Sequence, residues 1–206
     1  MGKHLHHCSL AAALLLAAGL AGCSSSVAVK VDSEVPAPLI DKYATGIGVY
    51  YEDALRNHVY TEDSEDRKNW RIETGTAQVA MFDQVIRGTF EVVRPVASLP
   101  VSGAAVDAVI VPHIDEVQFA TPRESLQNFY EAWIRYKIDL RRPSGDLIAT
   151  WEMTAYGRSA EGFLTSNDQG LNAAIAGLLR DAGAKFTIGF PQAPGVKEWI
   201  DQHTTK

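Results

Sequence analysis

The chain has 206 residues, 19 of them Lys or Arg and 25 Asp or Glu, for a formal net charge of −6. The basic residues form neither a stripe nor a polybasic patch, which argues against nucleic acid and against electrostatic attachment to anionic lipid. Both cysteines, Cys8 and Cys23, lie near the start, so the rest of the chain must fold without a disulfide, a thiolate metal site or a cysteine nucleophile.

Lys3, His4, His6 and His7 precede an unbroken apolar run from Leu10 to Leu20. A basic start, an apolar core and small residues at the exit are the parts of a secretory signal peptide. The run is too short to span a bilayer, which needs about 20 apolar residues. It ends in Leu20-Ala21-Gly22-Cys23, which resembles a bacterial lipobox. The resemblance implies that residues 1–22 are removed as a type II signal peptide and that Cys23 is lipidated as the new first residue. Ser24 stands where an aspartate would retain such a protein in the inner membrane. By the same resemblance it implies an outer-membrane anchor with the domain facing the periplasm. Each buried acyl methylene contributes about 0.8 kcal/mol to such an anchor. Residues 23–38, with Ser24-Ser25-Ser26 and Pro36-Ala37-Pro38, read as the acylated terminus and a flexible tether. At roughly 3.1 Å per residue it would span about 40–45 Å. Residues 39–206 read as a single periplasmic domain.

Within the domain the spacing predicts a strand over 44–51, apolar at Ile47, Val49 and Tyr51. Gly46 and Gly48 on its other face predict a close approach there, most simply by a helix. Residues 53–68 read as an exposed loop carrying the acids Glu62, Asp63, Glu65 and Asp66. These lack the spacing of a calcium-binding turn. Val79, Phe82, Val85, Ile86 and Thr89 predict an amphipathic helix over 76–89, with Gln78, Asp83 and Arg87 on its polar side. A short strand over 90–96 contains Pro95, which limits it to an edge or an early end. A longer strand over 106–119 contains Pro112, which predicts a bulge or an edge position.

The clearest alternation runs over 129–141. Tyr130, Ala132, Ile134, Tyr136, Ile138 and Leu140 point one way, and Glu131, Arg135, Lys137, Asp139 and Arg141 the other. Arg142-Pro143-Ser144-Gly145 makes a hairpin turn to a partner strand over 146–156. Ser166-Asn167-Asp168-Gln169 is a capping box. It opens a helix with the stripe Leu171, Ala174, Ile175, Leu178, Leu179 and Ala182, and Gly183 is the expected terminator. Phe186, Phe190, Trp199 and Ile200 fold back over the core. The fold class expected is α+β, a two-layer sandwich with a mostly antiparallel sheet of four to five strands and two helices on one face.

Catalytic signatures are scarce. No G-x-S-x-G elbow, H-E-x-x-H helix or Walker-type loop is present, and no cofactor, metal site or catalytic residue is expected. His113 and Asp115 share a strand face and are the one candidate for an assembled hydrolytic site. The aromatic residues carry more information. Phe129 and Trp133 share the polar face of their strand with Arg135, and Tyr156 lies on the partner strand. Aromatic and arginine side chains on a half-wet face are enriched at binding surfaces, so Phe129, Trp133, Arg135 and Tyr156 form the candidate binding surface.

Lipobox, tether and a sheet with two helices on one side resemble the small envelope lipoproteins of the ABC-transport auxiliary and LPS-assembly kinds. The resemblance rests on residues 76–90, 130–157 and 166–182, and it is one of architecture. It implies a non-enzymatic accessory or binding component of an envelope transport or assembly system. Its partners would be the bilayer, through Cys23, and an envelope protein complex. The alternatives are a glycan- or lipid-binding module, which needs an apolar groove between sheet and helices, and a periplasmic hydrolase acting near His113 and Asp115.

Overall fold

The computed structural model describes residues 27–30, 34–62, 70–103, 105–125, 127–160, 162 and 166–204. The expected signal peptide, Cys23 and most of the acid cluster (Asp63, Glu65 and Asp66) lie outside the described residues. Among these residues, eight strands and five helices follow in the order β1 (Val27–Lys30), β2 (Tyr43–Val49), α1 (Asp53–Arg56), β3 (Val59–Glu62), β4 (Trp70–Glu73), α2 (Gly75–Thr89), β5 (Phe90–Pro95), β6 (Ala108–Ala120), α3 (Pro122–Ser125), β7 (Phe129–Arg141), β8 (Leu147–Ala160), α4 (Asn167–Gly189) and, after a 3-10 turn at Phe190–Gln192, α5 (Val196–His203).

The main sheet has the order β5-β2-β6-β7-β8. The long ladders β6/β7 and β7/β8 are antiparallel, whereas β2 pairs in parallel with both β5 and β6. Parallel neighbours need a crossover, and α2 supplies the one between β2 and β5. Helices α2 and α4 pack side by side on one face, which gives the expected two-layer α+β sandwich. A second, three-stranded sheet has the order β1-β4-β3.

The core lies between the sheet and the two long helices. Tyr130, Ala132, Ile134, Tyr136, Ile138 and Leu140 of β7 are all buried, as their period-two spacing requires. They meet Phe82, Val85 and Ile86 of α2 and Leu171, Ala174, Ile175, Leu178 and Ala182 of α4. Phe82 packs edge-on to Tyr136 at 5.2 Å and to Phe186 at 6.0 Å, and Phe186 stacks on Phe190 at 4.8 Å. These rings join sheet, both helices and the C-terminal turn, and each such pair contributes about 0.5–1.5 kcal/mol beyond its buried area.

Several expectations need correction. The stretch over 53–68 contains α1 and β3, because Val59, Tyr60 and Thr61 suit a strand and pair antiparallel with β4. Val27–Lys30, inside the expected tether, pairs in parallel with β4; its Val-Ala-Val-Lys alternation suits a strand. Farther along that stretch, Val35 packs against the core. Gly46 and Gly48 face a loop rather than a helix. A Cβ on Gly48 would fall 2.7 Å from Val96 Cγ2, and Gly46 N–H donates to Asp107 Oδ2 at 2.7 Å. Gln78 is buried, with Nε2 donating to Thr74 Oγ1 at 2.6 Å.

Gly183 does not end α4, which continues so that Phe186 extends the stripe. A Cβ there would meet Val35 Cγ1 at 2.8 Å and Val85 Cγ1 at 3.1 Å, so the glycine serves close packing. Pro95 does mark an edge strand, β5. Pro112 sits in a central strand without a bulge of its own. Ile110 O accepts from Tyr50 N–H, so the proline nitrogen two residues on points the same way, beyond the last β2 pairing. A missing N–H costs nothing there. The bulge lies between Ile114 and Glu116.

Candidate functional site

Helices α2 and α4 cover one face of the sheet, and the other face of β6, β7 and β8 carries the polar side chains of the alternation. Register places Gln118, Trp133 and Tyr156 in one row across the three strands. Ala120, Glu131 and Arg158 form the next row, and Glu116, Arg135 and Thr154 the row on the other side. The hairpin turn sets this register; Gly145 takes a φ of 98° there, a conformation suited to glycine.

The face is cross-linked within itself. Arg135 Nε donates to Asp115 Oδ2 at 2.5 Å and its Nη2 to Glu116 Oε2 at 2.7 Å. Consecutive strand residues normally point to opposite faces; the bulge at Asp115 lets two neighbouring carboxylates meet one guanidinium. The same guanidinium lies 5.6 Å from the centre of the Trp133 ring, and Arg158 lies 5.1 Å from that of Phe129. Tyr156 donates its hydroxyl to Glu131. That hydrogen bond pushes the phenol above its usual range, so the side chain remains a donor at neutral pH. Tyr156 keeps 40% of its surface exposed, and Phe129, Trp133 and Arg135 are half-buried. Gln118, Phe119, Glu131, Trp133 and Tyr156 line a shallow depression of about 310 Å³. The four residues expected as a binding surface therefore lie together on the face opposite α2 and α4. Arg158 and Glu131 also take part. Trp70, by contrast, is buried at 6% exposure.

His113 faces different neighbours from those expected. Its Nδ1 lies 3.3 Å from Glu52 Oε2 and its Nε2 3.6 Å from Asp139 Oδ2, while Asp115 is engaged by Arg135. A groove of about 340 Å³ lies beside it and includes His58, Glu52, Asp115 and Glu116. Among the described residues its lining holds no Ser, Thr or Cys to act as a nucleophile. His58 Nδ1 is hydrogen-bonded to Thr74 Oγ1 at 2.7 Å, and burial lowers its pKa. Asp139 is buried. Burial by itself would raise its pKa, but hydrogen bonds from Thr150 and Arg141 and the nearby positive charge outweigh this and hold it below the usual carboxylate range. Among the described residues no group of three or more His, Cys, Asp or Glu is placed to hold a metal ion. Neither Glu52 nor His58 was singled out from the sequence. They flank α1; Glu52 reaches His113, and His58 lines the same groove, only through the tertiary fold.

No family model and no curated protein matches the chain. Among solved structures, a Xanthomonas campestris protein of the DUF330 family superposes with a TM-score of 0.51 at 12% identity, covering 86% of this chain and 97% of that one. The minor lipoprotein of Acinetobacter baumannii superposes with a TM-score of 0.42 at 10% identity, covering 71% of this chain and 90% of that one. The likeness to the Xanthomonas protein is one of fold.

Proposed function

We propose that this chain is a lipid-anchored lipoprotein of the bacterial envelope. Acylated Cys23 holds it in the outer membrane, facing the periplasm. Its domain acts without catalysis, as an accessory or binding component of an envelope transport or assembly system. Support for the anchor comes from the succession of basic start, apolar run, Leu20-Ala21-Gly22-Cys23 and Ser24. The observation that carries the binding role is the half-exposed row of Trp133 and Tyr156, flanked by Phe129 and Arg135, on the sheet face opposite α2 and α4. Arg135 is already paired with Asp115 and Glu116, so a partner docking there would not have to bury a lone guanidinium at that position.

The anchor is tested by palmitate labelling of the wild type beside Cys23→Ala; label that persists in the variant refutes it. The docking role is tested with a photo-crosslinking amino acid at position 133 in intact cells. A discrete adduct that disappears on Tyr156→Ala supports it. Adducts indistinguishable from those formed at exposed Glu198, on the far C-terminal helix, overturn it.

The grouping of His113 with Glu52, Asp139 and His58 favours a second reading, a periplasmic hydrolase that activates water there. That reading requires a hydrolytic activity lost on His113→Ala and retained on Trp133→Ala.

A further inference from the structure

A second groove, of about 450 Å³, lies on the helix side of the sheet, between α2 and the edge strand β5. Its volume falls within the roughly 300–1,000 Å³ usual for small-molecule sites. Val49, Val79, Val93 and Val96 make an apolar floor. Tyr51, Arg56, Asp83 and Arg87 make a polar rim. They come from the end of β2, from α1 and from successive turns of α2.

The rim is unbalanced in charge. Asp83 accepts the Tyr51 hydroxyl at 2.9 Å. Burial, followed by the Asp83 charge, pushes that phenol far above its usual range, so the hydroxyl stays a donor. Arg56 spends Nε and Nη2 on the Tyr51 carbonyl, at 3.1 and 2.8 Å, a neutral acceptor that orients the guanidinium without compensating its charge. Among the described residues neither Arg56 nor Arg87 has a carboxylate within ion-pair range. Two guanidinium groups and one occupied carboxylate thus leave a single net positive charge beside a hydrocarbon floor, in a chain whose overall charge is −6.

We propose that this groove binds a monoanionic amphiphile, an alkyl carboxylate, with its head group at Arg87 and Arg56 and its hydrocarbon along the valine floor. A guanidinium presents paired donors that match a carboxylate, and the valines gain about 25 cal/mol for each Å² of apolar surface they cover. The site is separate from the aromatic sheet face and does not rest on that reading.

The test is equilibrium dialysis of labelled decanoate against the full chain held in amphipol, with empty amphipol subtracted. One saturable site per chain is expected. Arg87→Gln should weaken it roughly tenfold, the loss of one charge-assisted contact. Asp83→Asn, which removes the opposing charge, should tighten it about two- to fivefold. Trp133→Ala should leave it unchanged, so this site and the sheet face succeed or fail independently. The proposal is overturned by absence of saturable binding, by equal affinity for decanol, which has no anionic head, or by equal affinity for butyrate, which cannot cover the floor. Tighter binding of a decyl phosphate than of decanoate overturns the choice of carboxylate head. Decanoate binding unaffected by both Arg87→Gln and Arg56→Gln would place the ligand elsewhere.

Discussion

Asp181 of α4 accepts a hydrogen bond from the backbone N–H of Tyr156 at 2.9 Å, across the outer edge of β8. One turn on, Lys185 donates to the Thr154 carbonyl at 2.8 Å and to Asp181 at 2.8 Å. The pair therefore closes a stretch of strand edge that would otherwise be open to another strand. As an exposed ion pair it contributes little by itself; its importance is in the backbone groups it occupies. Asp181→Ala is expected to lower stability by about 1 kcal/mol, to speed hydrogen exchange at the Tyr156 amide and to promote self-association at high concentration. Unchanged exchange at Tyr156 would show that the edge is protected by something else.

Gly157 and Gly177 face each other where β8 crosses α4, yet they should respond oppositely to alanine. A Cβ on Gly157 would lie 2.0 Å from Ala174 O and 2.2 Å from Leu178 N, both backbone atoms of the helix. Gly157→Ala should therefore cost about 3 kcal/mol as the helix is pushed off the sheet. On Gly177 the nearest atom is Gly157 Cα at 3.6 Å. Gly177→Ala should leave the protein as stable or raise stability by up to about 1 kcal/mol, since glycine is a poor residue within a helix. Urea denaturation midpoints at constant slope decide between these signs.

Tyr136 is fully buried, and its hydroxyl has no hydrogen-bond partner among the described residues. Removing an unpaired polar atom from a core relieves its desolvation cost. Tyr136→Phe is therefore expected to be neutral or stabilising by about 1 kcal/mol, provided the ring keeps its edge contact with Phe82. A loss above about 1 kcal/mol would mean that the hydroxyl is satisfied.

Two groups should make stability fall in acid, in separate windows. The His58 pKa is lowered by burial from its ordinary 6.5, so the unfolded chain takes up this proton first. The resulting stability is present above about pH 6.5 and is lost as pH drops through the lower folded value. Asp139 is held below its ordinary 3.8 by its hydrogen bonds and the neighbouring Arg141. Its contribution is present above about pH 4 and disappears as pH falls through the depressed folded value. His58→Gln should flatten the first window, and Asp139→Asn the second, in denaturation curves recorded from pH 7 to pH 2. NMR titration should place the His58 midpoint below 6.5. A midpoint above it would reverse the predicted slope.

The β7–β8 hairpin and its aromatic face were legible in the sequence because two long antiparallel ladders preserve a strict period of two. Phe129, Trp133 and Arg135 follow from that spacing, and the Arg142–Gly145 turn brings Tyr156 beside Trp133. Other features depend on contacts that local spacing does not encode. Gln78 looks like a surface residue, but Thr74 gives it a partner inside the core. Gly183 looks like a helix end because a cap and a close contact both call for the same residue. Only Phe186, continuing the stripe, separates the two cases. His113 precedes the bulge and keeps the regular register opposite Lys137, so it meets Asp139 of β7 and Glu52 from ahead of α1, while Asp115, at the bulge, goes to Arg135. The groove beside α2 draws Tyr51, Arg56 and Arg87 from three elements, and the spacing of Asp83 and Arg87 on one helix is its single local trace.

The pairing of β1 with β4 changes how far the domain can stand from a membrane. Only Ser24, Ser25 and Ser26 separate Cys23 from Val27, and four Cα steps of at most 3.8 Å reach about 15 Å. With Cys23 acylated as proposed, the three-stranded sheet would be confined close to the lipid head groups instead of hanging on a long leash. Any partner would then meet this protein in a thin layer at the bilayer surface, where a search in two dimensions replaces one in three.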